Sequence, residues 1–268
     1  MLWEHALILG VLQGLTEFLP VSSSGHLVLG QSILGLKEPE LFFDVLLHVG
    51  TLAAVLIFYG KDLWRIARGW CASLAGKDAD EAAARTGWLL ILGSVPAGVV
   101  GVLLGDLVEG MFASPKLAAC ALLVTGGILC LSEPREGADR EEAEMTPKDA
   151  LIIGIFQAFA VVPGISRSGA TIAAALMRGV AREQAARFSF LLSIPAILGA
   201  FALKVKDLEG PLGEKLLPYA VGALAAAVVG AVALGWLIRL VRGGNLVRFR
   251  YYCWGAGVLA LLYLFTTG

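Results

Sequence analysis

Six apolar runs, 41–59, 87–109, 117–131, 187–203, 217–238 and 251–266, dictate the solvent in which this 268-residue chain folds. A helix needs about twenty apolar residues to cross the hydrocarbon of a bilayer, and six runs of that order leave no water-soluble way of burying them. Composition agrees, with 57% apolar and 16% charged residues against about 25% charged in an average soluble domain. Lys and Arg number 21 and Asp and Glu 22, a net charge of −1. These figures exclude a soluble enzyme, a disordered tail and a nucleic-acid binder. The chain reads as a single all-α integral membrane domain over 1–268.

Two further apolar runs, 5–19 and 150–162, are too short to span. Fourteen residues reach roughly 21 Å against a hydrocarbon core of about 30 Å. Each ends at a proline, Pro20 or Pro163, then a serine-glycine cluster and a second short apolar stretch. A helix that stops at mid-depth and turns back is a re-entrant hairpin, tolerated only where protein or a wet cavity satisfies its backbone.

The two hairpins belong to a repeat. Ala6 to Gln13 (ALILGVLQ) matches Ala150 to Gln157 (ALIIGIFQ), 144 positions on, and Ser22, Ser24 and Gly25 fall on Ser166, Ser168 and Gly169 at the same spacing. Phe43 to Leu47 falls on Phe188 to Leu192, and Lys61-Asp62-Leu63 on Lys206-Asp207-Leu208, both 145 positions on. The expected architecture is therefore six transmembrane helices plus two re-entrant hairpins, in halves of about 1–131 and 146–268. Three crossings per half put the second half in upside down, and such inverted repeats place their sites near the midplane, where broken helices meet.

Loop charge gives the orientation. Segments 60–86, 132–149, 178–187 and 239–250 carry 15 Lys and Arg, Arg135 among them, while the opposite side has Lys37, Lys116, Lys204, Lys206 and Lys215. The cation-rich side is cytoplasmic by the positive-inside rule, so both termini and the mouth of the site face outward. The start of the chain lacks the basic region of a signal peptide and is read as mature. Cys71, Cys120, Cys130 and Cys253 form no CxxC pair; they read as small buried hydrophobes rather than disulfides or zinc ligands.

The chemistry concentrates in the hairpins. Gln13 and Glu17 are four apart and share one helix face. A carboxylate at membrane depth costs at least about 3 kcal/mol unless partnered. Glu17 is then a metal ligand, an activating carboxylate, or the partner of an arginine that holds the halves together. Ser22, Ser23 and Ser24 precede a helix whose N-terminus makes an anion site. His26 beside them suggests nucleophile and base chemistry. In the second hairpin, Arg167 presents a planar donor fork to a phosphate or carboxylate, flanked by Ser166 and Ser168. At the positions equivalent to Glu17, Ser23 and His26 the second half has Val161, Arg167 and Ala170. One half kept the acid and imidazole, and the other supplied the cation. Asp44 and His48, four apart in the first span, pair with each other or support the site.

Gln13-Gly-Leu-Thr-Glu17 leading into the serine-rich Gly25-His26 segment, with Pro163-Gly-Ile-Ser-Arg-Ser-Gly-Ala-Thr171, resembles the undecaprenyl-diphosphate phosphatase family, the bacitracin-resistance membrane phosphatases. The similarity runs through nearly the whole chain, including Phe188 to Pro195. It implies hydrolysis of undecaprenyl diphosphate to the monophosphate carrier lipid and inorganic phosphate, in the cytoplasmic membrane of a bacterium, with Glu17, Ser23, His26 and Arg167 catalytic. It further implies that Gln13, Ser22, Ser24, Gly25, Gly164, Ser166, Ser168, Gly169 and Thr171 bind substrate. Mg²⁺ or Ca²⁺ is implied as cofactor, with Glu17 its ligand; Gln13, the glutamine variant of the motif, speaks against a site of two carboxylates at 13 and 17. The implied partners are the polyprenyl diphosphate, membrane lipids and, optionally, a second copy of the chain in a homodimer. Ser23 is favoured as nucleophile, with His26 and Glu17 activating it. The competing reading is a lipid-phosphate transporter, since paired broken helices are also transporter architecture.

The charge split generates a topology test. With single cysteines introduced at positions 77 and 116 of a cysteine-free variant, we expect a membrane-impermeant thiol reagent on intact cells to label 116 and spare 77. The reverse pattern overturns the orientation.

Overall fold

A computed structural model describes residues 1–36, 40–78, 80–133, 139–206, 213–242 and 246–267. Lys37, Arg135, Asp207, Leu208 and Gly268, invoked above, lie outside the described residues. Among those described the fold is all-helical, with only an isolated bridge between Arg140 and Val180. The helices are α1 (Trp3–Thr16), α2 (Ser23–Ile33), α3 (Leu41–Leu74), α4 (Glu81–Leu103), α5 (Gly105–Phe112), α6 (Pro115–Cys130), α7 (Pro147–Phe159), α8 (Arg167–Met177), α9 (Arg182–Val205), α10 (Leu216–Arg242) and α11 (Phe249–Thr267).

Four of these, α3, α4, α9 and α10, are long and apolar enough to cross a membrane, and α5 with α6 makes a fifth if the bent pair counts as one. The run 251–266 forms the 19-residue α11. One expected boundary is corrected: 87–109 is not a single helix. α4 stops at Leu103, Leu104 leaves helical geometry, and α5 sets off, with α5 and α6 bent by 99° to each other. Beyond the break Glu109 of α5 pairs with Lys204 of α9, which offsets the cost of a carboxylate beside apolar helices. A second correction concerns the cysteines: Cys253 is buried and all four are free, but Cys71 and Cys120 are exposed on outer helix faces. A small apolar thiol is as well accommodated against lipid as against protein.

Local sequence sets the helix starts. Ser22 Oγ caps α2 by accepting from Gly25 N, and Ser166 Oγ caps α8 by accepting from Gly169 N. These are the same repeat position doing the same work. Thr146 and Asp149 form a capping box on α7 with Pro147 at its first turn, where a missing N–H costs nothing.

Packing repeats as well. α1 lies along α10 and α7 along α4. In each case a glycine from the repeated segment sets the approach: a Cβ on Gly10 would run into the Gly222 backbone, and one on Gly154 into that of Gly93. Small residues at such crossings let backbones come close, which is how apolar helices associate in lipid. Beneath the hairpin tips Phe18 of the first turn meets Phe190 of α9 edge to face, ring centres 5.8 Å apart.

Outside the hairpin tips, ion pairs among the described residues sort into two groups. Asp149 with Arg140 and Arg178, Arg187 with Asp62 and Glu142, Arg65 with Asp80, and Arg250 with Glu133 join segments from the cation-rich side. Lys204 with Glu109 and Lys215 with Glu40 join segments from the other. Asp149 anchors the first group. Burial pushes its carboxyl up, but the Thr146 amide and the Arg140 and Arg178 guanidiniums outweigh burial and hold it well below the usual carboxylate range. A depressed folded-state value means that the stabilisation is complete above the unfolded pKa of about 4 and is lost only as pH falls through the folded one. The cluster is therefore intact at neutral pH. We expect Asp149→Asn to cost about 2–3 kcal/mol at pH 7, less than a fully buried pair because both arginines keep part of their surface in solvent. Thermal unfolding in detergent checks this, and an unchanged midpoint would show the arginines to be independently solvated.

Candidate active site

The turns of the two hairpins meet head to head. A Cβ on Gly25, near the start of α2, would lie 2.7 Å from Gly164 Cα in the opposite turn. Gly164 has φ of +100°, a conformation open to glycine. Its carbonyl accepts from Thr125 Oγ1 of α6 at 2.7 Å, and that hydroxyl accepts from Ser166 N at 2.9 Å. Ser168 Oγ donates to the Leu19 carbonyl at 3.1 Å, tying one tip to the other. Ser22 is the one described non-glycine residue with positive φ, 65°. Its carbonyl accepts from His26 Nδ1 at 2.7 Å, so a strained turn presents the serines.

Glu17 is the hub. Its Oε1 accepts from Arg167 Nη2 at 2.6 Å, and its Oε2 from Ser23 Oγ at 2.6 Å and Gln13 Nε2 at 3.0 Å. His48 Nε2 of α3 stands 3.4 Å from the same Oε2. Arg167 is held from behind by the Ser189 carbonyl, 3.2 Å from its Nη1. The two hairpins thus share a buried ion pair, the arginine partner that was one of the readings of Glu17, and that pair carries a serine hydroxyl.

A cavity of about 560 Å³ opens over this cluster, within the usual range for small-molecule sites. Its floor is polar, with Glu17, Ser23, His48, Gln157, Ser166 and Arg167. Its upper wall is built of small and apolar residues of α4 and α9, Gly98, Gly101, Gly199 and Leu203 among them, and Phe112 and Lys206 contribute to its lining beyond.

Of the residues expected at the site, Glu17, Ser22, Ser23, Ser24, Ser166 and Arg167 line the cavity, and Gln13 backs Glu17. Gly25 and Gly164 form the tip contact, and Gly169 is engaged by the Ser166 cap. Ser168 and Thr171 are set behind the lining. Thr171 Oγ1 donates to the Arg167 carbonyl at 2.8 Å and accepts from Ser189 Oγ at 2.6 Å. His26 is bonded neither to Ser23 nor to Glu17. Since its Nδ1 donates to a carbonyl, its Nε2 accepts in the neutral ring, here from Tyr252 of α11 at 2.8 Å, with the two rings stacked. Asp44 does not bond the His48 ring with its side chain: Gln31 Nε2 donates to Asp44 Oδ1 at 2.6 Å, while His48 Nδ1 donates to the Asp44 carbonyl at 2.7 Å. Sequence reasoning missed Tyr252, Thr125 and Ser189 in these roles; each lies in an apolar run, where no local spacing distinguishes it from lipid-facing or core sequence.

Among the described residues no three of His, Cys, Asp and Glu come together as a metal cage. Glu17 is the carboxylate in the cavity lining, and both its oxygens are already engaged. Gln13 Oε1, buried without a partner among the described residues, is the remaining oxygen donor beside it. This set does not fit a cation held by protein alone. It fits one that keeps most of its waters and arrives on a phosphate.

A family model described as "Bacitracin resistance protein BacA" matches residues 6–259. The chain is 44% identical to the undecaprenyl-diphosphatase of Desulfatibacillum aliphaticivorans, with 97% of this chain and 98% of the relative aligned. It is 42% identical to undecaprenyl-diphosphatase 3 of Bacillus cereus, covering 98% of each, and 42% identical to the undecaprenyl-diphosphatase of Methanobrevibacter smithii, covering 96% of each.

The position of Ser168 separates binding from scaffolding. Its hydroxyl bonds the Leu19 carbonyl behind the cavity, so we expect Ser168→Ala to lose about 1 kcal/mol of stability with the affinity for any cavity ligand changed less than about twofold. A Kd raised tenfold with unaltered thermal stability would place the hydroxyl on the ligand instead.

Proposed function

The chain belongs to the bacitracin resistance protein BacA family, and on that premise we propose that it hydrolyses undecaprenyl diphosphate to undecaprenyl phosphate and inorganic phosphate. The names of its relatives point to that substrate. The observation that carries the reading is Ser23 Oγ, 2.6 Å from a carboxylate that Arg167 holds from the opposite hairpin, on the polar floor of a cavity with an apolar wall. The comparisons lend the transporter alternative no support.

In this reading the diphosphate lies on the floor and the prenyl chain runs along the small-residue wall of α4 and α9. Ser23 Oγ attacks the terminal phosphorus as its proton passes to Glu17. The bond from that phosphorus to the bridging oxygen breaks, and the lipid monophosphate leaves as an anion. Glu17 releases that proton to solvent. Water then attacks the phosphoserine phosphorus and gives a proton to Glu17, the bond from phosphorus to Ser23 Oγ breaks, inorganic phosphate leaves, and Glu17 returns the proton to Ser23 Oγ. The Arg167 fork and the N-terminal amides of α2 and α8 stabilise charge on the phosphoryl oxygens. His26 acts through the Ser22 carbonyl as a positioning residue, which replaces the expectation that it activates Ser23. Glu17 and Gln13 Oε1 are the residues that would hold a Mg²⁺ or Ca²⁺ brought by the diphosphate, and such an ion would neutralise phosphate charge.

The finer architecture belongs to the same proposal: six crossings by α3, α4, α6, α9, α10 and α11, two re-entrant hairpins, and halves of about 1–131 and 146–268 in an inverted repeat. The paired glycine crossings and paired serine caps, 144 positions apart, support it. Placement in the cytoplasmic membrane with both termini and the cavity mouth outside is supported by the sorting of ion pairs and by Phe112 and Lys206 lining the cavity from the cation-poor side.

Purified protein in detergent should release phosphate from a polyprenyl diphosphate in a metal-dependent way, whereas a transporter would need two compartments. We expect Arg167→Lys, which keeps the charge but not the fork, to lose about 10²–10³ in rate while still inserting. Near wild-type turnover would show that charge alone suffices. Rapid quenching with substrate labelled in its terminal phosphate should trap an acid-stable phosphoserine. An alkali-stable, acid-labile adduct that disappears in His26→Ala would sink the serine assignment, and no adduct under any quench would favour direct attack by water.

A further inference from the structure

Gln157 of α7 lines the cavity with Ser166 and Arg167, and the mechanism above gives it no task. It is 2% exposed, yet among the described residues neither its Nε2 nor its Oε1 has a hydrogen-bond partner. Buried polar side chains are nearly always satisfied, and exceptions point to a ligand or ion that completes them. Gln13 and Asp44 each leave one buried atom unpaired but keep a partner on the other. Gln157 has none on either.

The duplication shows how this amide came to be free. Gln157 stands 144 positions after Gln13, whose Nε2 donates to Glu17. At the position equivalent to Glu17 the second half has Val161, which offers no acceptor. Gln157 nonetheless lines the cavity, carried by α7 against α4, whereas Glu17 follows α1, which lies against α10.

We propose that Gln157 is a substrate-binding residue: its Nε2 donates to a phosphate oxygen of the bound diphosphate, and its Oε1 accepts from a P–OH or a bound water on the same group. This rests on the hydrolytic reading above. A carboxamide adds a donor without adding charge, so it holds an anion beside Arg167 without competing for Glu17. It also selects: an apolar lipid entering the cavity would leave the amide unpaired and desolvated.

The test uses the full chain in detergent with Gln157→Leu, which keeps the volume and removes both polar atoms, and Gln157→Glu, which keeps the shape and adds negative charge. Titration calorimetry gives Kd for farnesyl diphosphate, farnesyl monophosphate and inorganic phosphate, alongside kcat and KM for phosphate release. We expect Gln157→Leu to weaken farnesyl diphosphate about tenfold or more, as for a lost hydrogen bond to a charged group. Gln157→Glu should weaken it further, and the Tm of Gln157→Leu should be unchanged or raised because a buried unpaired amide is gone. A parallel loss for farnesyl monophosphate assigns the amide to the lipid-side phosphate, and one for inorganic phosphate to the terminal phosphate; either supports the proposal. A farnesyl diphosphate Kd within about twofold of wild type in both variants, or a lowered Tm in Gln157→Leu with unaltered Kd, overturns it. Wild-type protein that binds farnesyl diphosphate but releases no phosphate would refute the hydrolytic reading and leave the Gln157 comparison standing.

Discussion

A carboxylate buried among apolar helices must meet a cation or lose its charge, and in this chain Glu17 meets Arg167. That ion pair, 2.6 Å between Glu17 Oε1 and Arg167 Nη2, links hairpins whose sequences are 150 residues apart. Much else is arranged around making it close. Gly25 and Gly164 let the two turns touch, Thr125 fixes the second turn, and Ser168 bonds across to Leu19. A buried pair of this kind is weak evidence for stability, because desolvating both ions offsets much of their attraction. What it contributes is specificity: one arrangement of the two tips satisfies both charges, and that arrangement brings Ser23 to the carboxylate.

The segments that match between the two hairpins provide the scaffold, and those that differ the site. The features common to both hairpins are mechanical: Gly10 and Gly154 at helix crossings, Ser22 and Ser166 as caps. The features that differ are chemical, with Glu17 against Val161 and Ser23 against Arg167. A symmetric pair of acids or of arginines at the tips would repel across the junction. An acid from one half and a cation from the other attract, and the junction becomes a dipolar floor suited to a phosphoryl group.

The cavity follows the same division. Its floor comes from polar residues at the hairpin tips, on α7 and on α3, and its wall from small and apolar residues of α4 and α9. An amphipathic substrate with a charged head and a long apolar tail matches both parts. At the far end α5, which follows the break at Leu104, contributes Phe112 to the lining.

Helix content, the two short helical hairpins and the acid–cation asymmetry between them were legible in the sequence, because hydrophobic run length and the spacing of prolines and serines are local and survive without coordinates. The identities of Glu17, Ser23 and Arg167 as site residues followed from polar groups standing where an apolar environment penalises them. Partners were not legible. Whether His26 faces Glu17 or Tyr252, and whether Thr171 reaches the cavity or Ser189, depends on side-chain direction after α11 and α9 have docked, and apolar runs look alike whichever face meets protein. Nor was the end of α4 at Leu103 legible, inside an apolar stretch that continues beyond it, or the pairing of Glu109 past that break with a lysine 95 residues away. The chain's own order therefore determined that it folds as helices in lipid around a charged junction. Tertiary packing alone decided which hydroxyl the carboxylate holds and which amide, that of the cavity-lining Gln157, is left without a partner among the described residues, since those outcomes depend on distances between segments remote in sequence.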